Sequence, residues 1–123
     1  MPFHFDVDPN RKCVIATAYG AFDDADMREM IQRYATHPDI VPGSVSLVDL
    51  RGVADYRITA ECIREMADFT VGRPTRFRKR AIVAADDLQF GMSRMYQMLR
   101  DGTPAEQRLF RDVDEARRWL EIE

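Results

Sequence analysis

Apolar and polar residues alternate at the start of the chain, where Phe3, Phe5 and Val7 interleave with His4, Asp6 and Asp8. A period of two puts one set on the buried face of a strand and the other in water. Asp8-Pro9-Asn10-Arg11 supplies turn chemistry, and residues 13–19 resume an apolar run that stops at Gly20. The opening segment therefore predicts a β-hairpin. The period then lengthens: Met27, Met30, Ile31 and Tyr34 form one stripe opposite Arg28, Glu29, Gln32 and Arg33. This predicts an amphipathic helix capped by Asp23 or Asp24 and ended by Pro38.

Beyond Pro42-Gly43, residues 45–50 predict a strand and residues 51–57 a loop. Thr59 is the expected N-cap of a second helix with Cys62, Ile63, Met66, Ala67, Phe69 and Thr70 facing inward, closed by Gly72 and Pro74. A basic stretch at 73–80 leads into residues 81–85, an apolar run without alternation, as expected of a central strand covered on both faces. Asp86-Asp87 then opens a helix carrying Phe90, Met92, Met95, Tyr96, Met98 and Leu99, broken by Gly102 and Pro104. At ~100° per residue Met92, Met95, Tyr96 and Leu99 share a face, whereas Phe90 and Met98 fall outside it near Arg94. A short strand at 108–111 precedes a terminal helix, with Asp112 and Glu115 at capping-box spacing and Val113, Ala116, Trp119 and Leu120 as its buried stripe.

The order β-β-α-β-α-β-α-β-α predicts an α/β fold: one domain over residues 1–123, with a mixed sheet made of an N-terminal antiparallel hairpin followed by strand-helix crossovers, and four helices. Composition agrees, with 46% hydrophobic and 32% charged residues. A chain of this size buries roughly two thirds of its unfolded surface, so no metal, disulfide or cofactor is needed for folding. The net charge of -3 and pI near 5.4 weigh against nucleic acid as a partner. No apolar run approaches the ~18 residues of a membrane span, and no secretory layout precedes the first strand, so a cytoplasmic location is expected.

Several features are shared with a known family. They are the element order, Asp49-Leu50-Arg51-Gly52 after a strand, Leu88-Gln89-Phe90-Gly91-Met92 opening a helix, and the ending from Leu109-Phe110-Arg111-Asp112 through Glu115-Ala116 to Trp119-Leu120. In these the chain resembles the SpoIIAA-like family, grouped with STAS and SEC14-type domains. The resemblance spans nearly the whole chain and implies a compact mixed sheet with helices, in a family of largely uncharacterised bacterial proteins. STAS-type anti-sigma-factor antagonists carry a phosphorylatable Ser just after an Asp, where the central strand meets its helix. Here Asp49-Leu50-Arg51-Gly52 stands at that place, with no Ser or Thr between Asp49 and Thr59, so the switch transfers to no matching residue. SEC14-type domains enclose lipids but are generally larger than this chain.

Recognisable catalytic chemistry is not found in the sequence. His4 and His37 lie on separate elements and outside any metal-ligand motif, Cys13 and Cys62 form neither a CxxC pair nor a zinc clip, and Gly43-Ser44-Val45 does not continue into a nucleophile elbow. Asp86-Asp87 reads as helix capping. The basic run 73–80 reads as a solvated gatekeeper beside a buried strand, the alternative being a site for an anion or acidic partner in which Phe77 stacks on a base or enters a lipid interface. Open α/β sheets bind ligands beyond the C-terminal ends of their strands. Asp49, Arg51 and Gly52 are therefore taken as a binding rim facing Gly91 and Arg94, with an Asp49–Arg94 pair and the apolar Phe90 and Met98 alongside. The function expected is a non-enzymatic binding or regulatory module, with a protein partner or a second copy of the chain at this surface. The alternative is a small apolar-ligand or lipid carrier with its pocket between the sheet and the methionine-rich helix.

Overall fold

The computed structural model describes residues 2–70, 77–99 and 106–122. Its elements are β1 (Phe3–Asp8), β2 (Cys13–Asp23), α1 (Asp24–Thr36), β3 (Ser44–Arg57), α2 (Ala60–Thr70), β4 (Phe77–Val83), α3 (Asp87–Leu99), β5 (Glu106–Phe110) and α4 (Val113–Leu120). The strands lie side by side in chain order; β1 and β2 are antiparallel and every later neighbour is parallel. The mixed α/β domain read from the alternation is thus the fold of the molecule.

Three parallel crossovers advance across the sheet in one direction, and right-handed connections then place α1, α2 and α3 on the same face. Side chains of those helices share a core with Val14, Ala16, Ala18, Val48 and Leu50. The alternate residues Cys13, Val45, Leu47, Ala81 and Val83 point the other way and pack under α4 through Ala116 and Leu120. Tyr34 lies fully inside the first core, its hydroxyl sharing a hydrogen bond of 3.0 Å with Ser46.

Strand lengths depart from the periodicity. β2 does not stop at Gly20 but continues to Asp23, with Gly20 at φ +66° inside the strand. Residues 51–57 are not a loop; they extend β3 beside β2. The pairing absorbs two register shifts, near Thr17/Tyr19 and Gly20/Ala21. A Cβ on Gly52 would come within 3.1 Å of the Ala18 carbonyl oxygen, so the two backbones approach closely there because residue 52 has no side chain. Residues 81–83 belong to an interior strand, β4, and 84–85 follow it, while the middle position is held by β3.

β4 begins earlier than its apolar run, and a bulge explains why. Ser44 pairs with Phe77 and the next residue, Val45, with Lys79, leaving Arg78 extra. Without the extra residue Phe77 would share a face with Lys79 and Ala81; with it, Phe77 turns into the helix-side core and meets Tyr34 edge-on at 5.5 Å. Phe77 is therefore a core residue and not a platform for a base. Lys79 lies over the Trp119 ring at 4.7 Å and donates to the Trp119 carbonyl, while Arg80 covers Phe77 at 5.3 Å. The basic residues 73–76 and the expected breakers Gly72, Pro74, Gly102 and Pro104 lie outside the described residues.

Asp23 caps α1 in a reciprocal box with Asp26. Thr59 caps α2, its hydroxyl accepting from the Cys62 N–H at 3.2 Å. At α4 the cap is Asp112, but its carboxylate accepts from the Asp114 N–H, so the box expected with Glu115 is not formed. Phe69, expected inside α2, is exposed.

Candidate functional site

Asp49 lies midway along β3, at the last residue paired with β4, and points to the α4 face in step with Val45 and Leu47. Both carboxylate oxygens are held by Arg51: Nε donates to Oδ1 at 3.0 Å, a terminal nitrogen to Oδ2 at 2.9 Å, and the Arg51 N–H also to Oδ1 at 3.0 Å. Burial works to raise the Asp49 carboxyl, but the Arg51 hydrogen bonds and charge outweigh it and hold the acid below its ordinary range. The expected Asp49–Arg94 pair is thus replaced by one with a residue two positions along. A fork-like guanidinium on the same edge reaches both oxygens without crossing the sheet. Arg51 also feels Asp112 and Asp114 at the start of α4.

Phe90, Gly91, Arg94 and Met98 belong to α3, on the opposite face. The two halves of the rim read from the sequence are therefore separated by the sheet itself. Phe90 is half-buried, with the Arg111 guanidinium 4.7 Å from its ring centre; Arg111 in turn donates to Asp87 Oδ1 at 2.7 Å. Gly91 is exposed, and a Cβ there would meet nothing within 4 Å. Arg94 is exposed, and among the described residues no carboxylate pairs with it. Met98 is 70% exposed.

The inward stripe of α3 also differs from expectation. Gln89, Ser93 and Tyr96 are the buried residues, Met92 and Met95 are half-buried, and Leu99 is 44% exposed. Gln89 is wholly buried and works as a latch: Oε1 accepts from the Ala85 N–H at 2.8 Å, Nε2 donates to the Val53 carbonyl at 3.4 Å, and its own N–H is capped by Asp86. A polar residue on the inside displaces the methionines outward. The sheet-facing side of α3 is thus filled by Gln89, Ser93 and Tyr96. Its outer side carries Leu88, 57% exposed, together with Gly91 and Met98. Leu88 was not among the site residues read from the sequence, although its three-residue spacing to Gly91 is visible there.

The family model described as SpoIIAA-like matches residues 13–121. The chain belongs to the SpoIIAA-like family. Its fold is that of a crystal structure of an uncharacterised DUF3478-family protein with a SpoIIAA-like fold from Shewanella loihica PV-4, at 19% identity and a TM-score of 0.60. The match covers 96% of this chain and 91% of that one. No curated protein matches.

In this SpoIIAA-like chain the junction of β3 with its helix falls at residues 58–59, not at Asp49. Thr59 is tied there to Asp24, its hydroxyl donating to Oδ2 at 2.7 Å and its N–H to Oδ1 at 2.8 Å. Burial opposes ionisation of Asp24, but the two Thr59 bonds prevail and hold its carboxyl low. Cys62 lies one turn into the helix, fully buried, and burial pushes its thiol up to about 11. Among the described residues no three His, Cys, Asp or Glu side chains converge as a metal site, and no helix is long and apolar enough to cross a membrane.

Proposed function

We propose that this SpoIIAA-like domain is a binding or regulatory module that acts by recognition without bond chemistry, and that it recognises its partner with the outer surface of α3. The observation that carries the reading is the outward placement of Leu88 and Met98, at 57% and 70% exposure, beside Arg94 on a helix whose inner side is already packed. Large apolar side chains grouped on one exposed face cost solubility and mark interaction surfaces more often than chance. Methionine suits such a surface because its flexible thioether adapts to irregular partners. The polar groups elsewhere are committed to structure: Asp49 to Arg51, Asp24 to Thr59 and Tyr34 to Ser46.

The test is photo-crosslinking in living cells with a photoreactive residue replacing Met98, and a control replacing Arg118, exposed on α4. Defined protein adducts at position 98 and none at 118 are expected. Adducts absent from 98, or equal at both positions, would contradict the assignment.

A further inference from the structure

The exposed Leu88, Gly91 and Met98 of α3, with the half-buried Met95 between them, repeat with a second period. Leu88, Gly91, Met95 and Met98 are spaced three, four and three, which places them along one seam of the helix, turned well away from the buried Gln89, Ser93 and Tyr96. α3 thus has a second face, on which Leu88, Gly91 and Met98 are exposed and Met95 only partly packed against the core.

Gly91 lies in the middle of the unused seam. It has no positive φ, and a Cβ there would meet nothing within 4 Å, so among the described residues nothing calls for glycine. In a helix interior glycine is the poorest ordinary choice after proline. Its use there fits a second helix crossing closely at that point, since helix axes packed through small residues come nearer than the usual ~8–10 Å.

The residues around the notch come in pairs that straddle it, each within one residue of symmetric placement. Leu88 and Met95 lie either side of Gly91 along the seam, and on the flank Asp87 and Arg94 do the same. Asp87 and Arg94 are seven residues apart, about 10.5 Å along the axis and within ~20° of one flank. Resting on the recognition reading above, we infer that the occupant of this surface is a second copy of the chain. The two α3 helices run antiparallel across a two-fold axis beside Gly91. An axis at Gly91 brings Leu88 of one copy within ~1.5 Å, one residue's rise, of the level of Met95 of the other, and Asp87 equally close to the level of Arg94, twice over. Asp87 is free to take part: its carboxylate side is 94% exposed, and among the described residues only Oδ1 is engaged, by Arg111.

A contact made by one helix of ~20 Å is small by the standard of permanent dimers. The expected behaviour is a reversible equilibrium with a dissociation constant in roughly the micromolar range.

Sedimentation velocity from ~1 to ~300 µM reads this directly. The wild-type chain should pass from its 14.3 kDa monomer to a species of twice that mass. Gly91→Gln should weaken dimerisation by ~30-fold or more while leaving or raising the melting temperature, because the new side chain fills the notch and favours the helix. Arg94→Glu should weaken it ~10-fold, and Arg94→Glu with Asp87→Arg should recover most of that loss. A dimer indifferent to Gly91→Gln and Arg94→Glu would overturn the proposed pairing, as would a chain that stays monomeric at the highest concentration. If that monomer still gives protein adducts at position 98, partner recognition survives and self-pairing does not; if it gives none, both fall.

Discussion

Gln89 ties the start of α3 to Ala85 and to β3 at Val53, and replacing it with leucine isolates those two bonds. Leucine preserves most of the volume but removes the acceptor for the Ala85 N–H at 2.8 Å and the donor to the Val53 carbonyl at 3.4 Å. Val53 is buried, so its carbonyl loses that donor where water cannot easily replace it, whereas Ala85 is exposed and can be hydrated. Charging ~1 kcal/mol for the shorter bond and about as much for the carbonyl left behind gives a destabilisation of about 2 kcal/mol. Unfolding entropy near 2.1 cal/mol/K per residue amounts to ~0.26 kcal/mol/K for this chain, so the melting temperature should fall by about 8 °C. Calorimetry supplies that shift, and urea titration should show an earlier midpoint at unchanged slope. Gln89→Glu keeps the acceptor but buries a carboxylate, so it should cost more at neutral pH than at pH 4. A Gln89→Leu protein melting within ~2 °C of the parent, or above it, would refute the latch.

Removing the Tyr34 hydroxyl, by Tyr34→Phe, should cost about 1 kcal/mol and ~4 °C, because Ser46 is left fully buried without its partner; adding Ser46→Ala should recover part of the loss in a double-mutant cycle. Asp49 is held below its ordinary pKa in the folded state, so it contributes stability above its unfolded value of ~3.9 and loses it as pH falls through the lower folded value. The stability gap between the parent and Asp49→Asn, about 1 kcal/mol at pH 6, should therefore narrow toward zero by about pH 2, as read from urea midpoints. Cys62, with its thiol raised to about 11, should be only about one part in a thousand thiolate at pH 8. Labelling by a thiol-specific disulfide reagent at that pH should await unfolding; rapid labelling of Cys62 in native buffer would contradict its burial.

Element type and order were legible because the periods are clean. Phe3, Phe5 and Val7 read as a strand, and Met27, Met30 and Tyr34 as a buried helical stripe, and the structure bears out both. Strand length was less legible. The extension of β3 through residues 51–57 carries arginine, aspartate and glycine, residues that usually punctuate, and it exists because β2 pairs with it through two register shifts. Nothing local announces such pairing. The fate of Phe77 likewise turns on one extra residue, Arg78, which selects the face it enters. At the site, Asp49 and Arg51 were visible as polar residues at a strand's end, but their mutual bonding was hidden by the assumption that a loop began there. The split between them and Gly91 and Arg94 follows from strand alternation, which settles the face only once the register is known. Gln89 was visible only as part of the helix-opening run Leu88-Gln89-Phe90-Gly91-Met92; its latching role was not, because a glutamine among methionines looks solvent-facing until its partners, thirty-six residues away at Val53 and four away at Ala85, are placed beside it.

A partner seated on the outer row of α3 would be felt by the methionines of that helix before any others. The chain has seven methionines, and their methyl groups report on separate places: Met27 and Met30 in the core, Met66 on α2, and Met92, Met95 and Met98 along α3. Methyl-labelled methionine spectra of the protein at rising concentration, and with any partner captured at position 98, test the claim most directly. Met98 and Met95 should shift or broaden while Met27 and Met30 stay fixed. Perturbation confined to the core methionines, or association that leaves Met98 untouched, would contradict it.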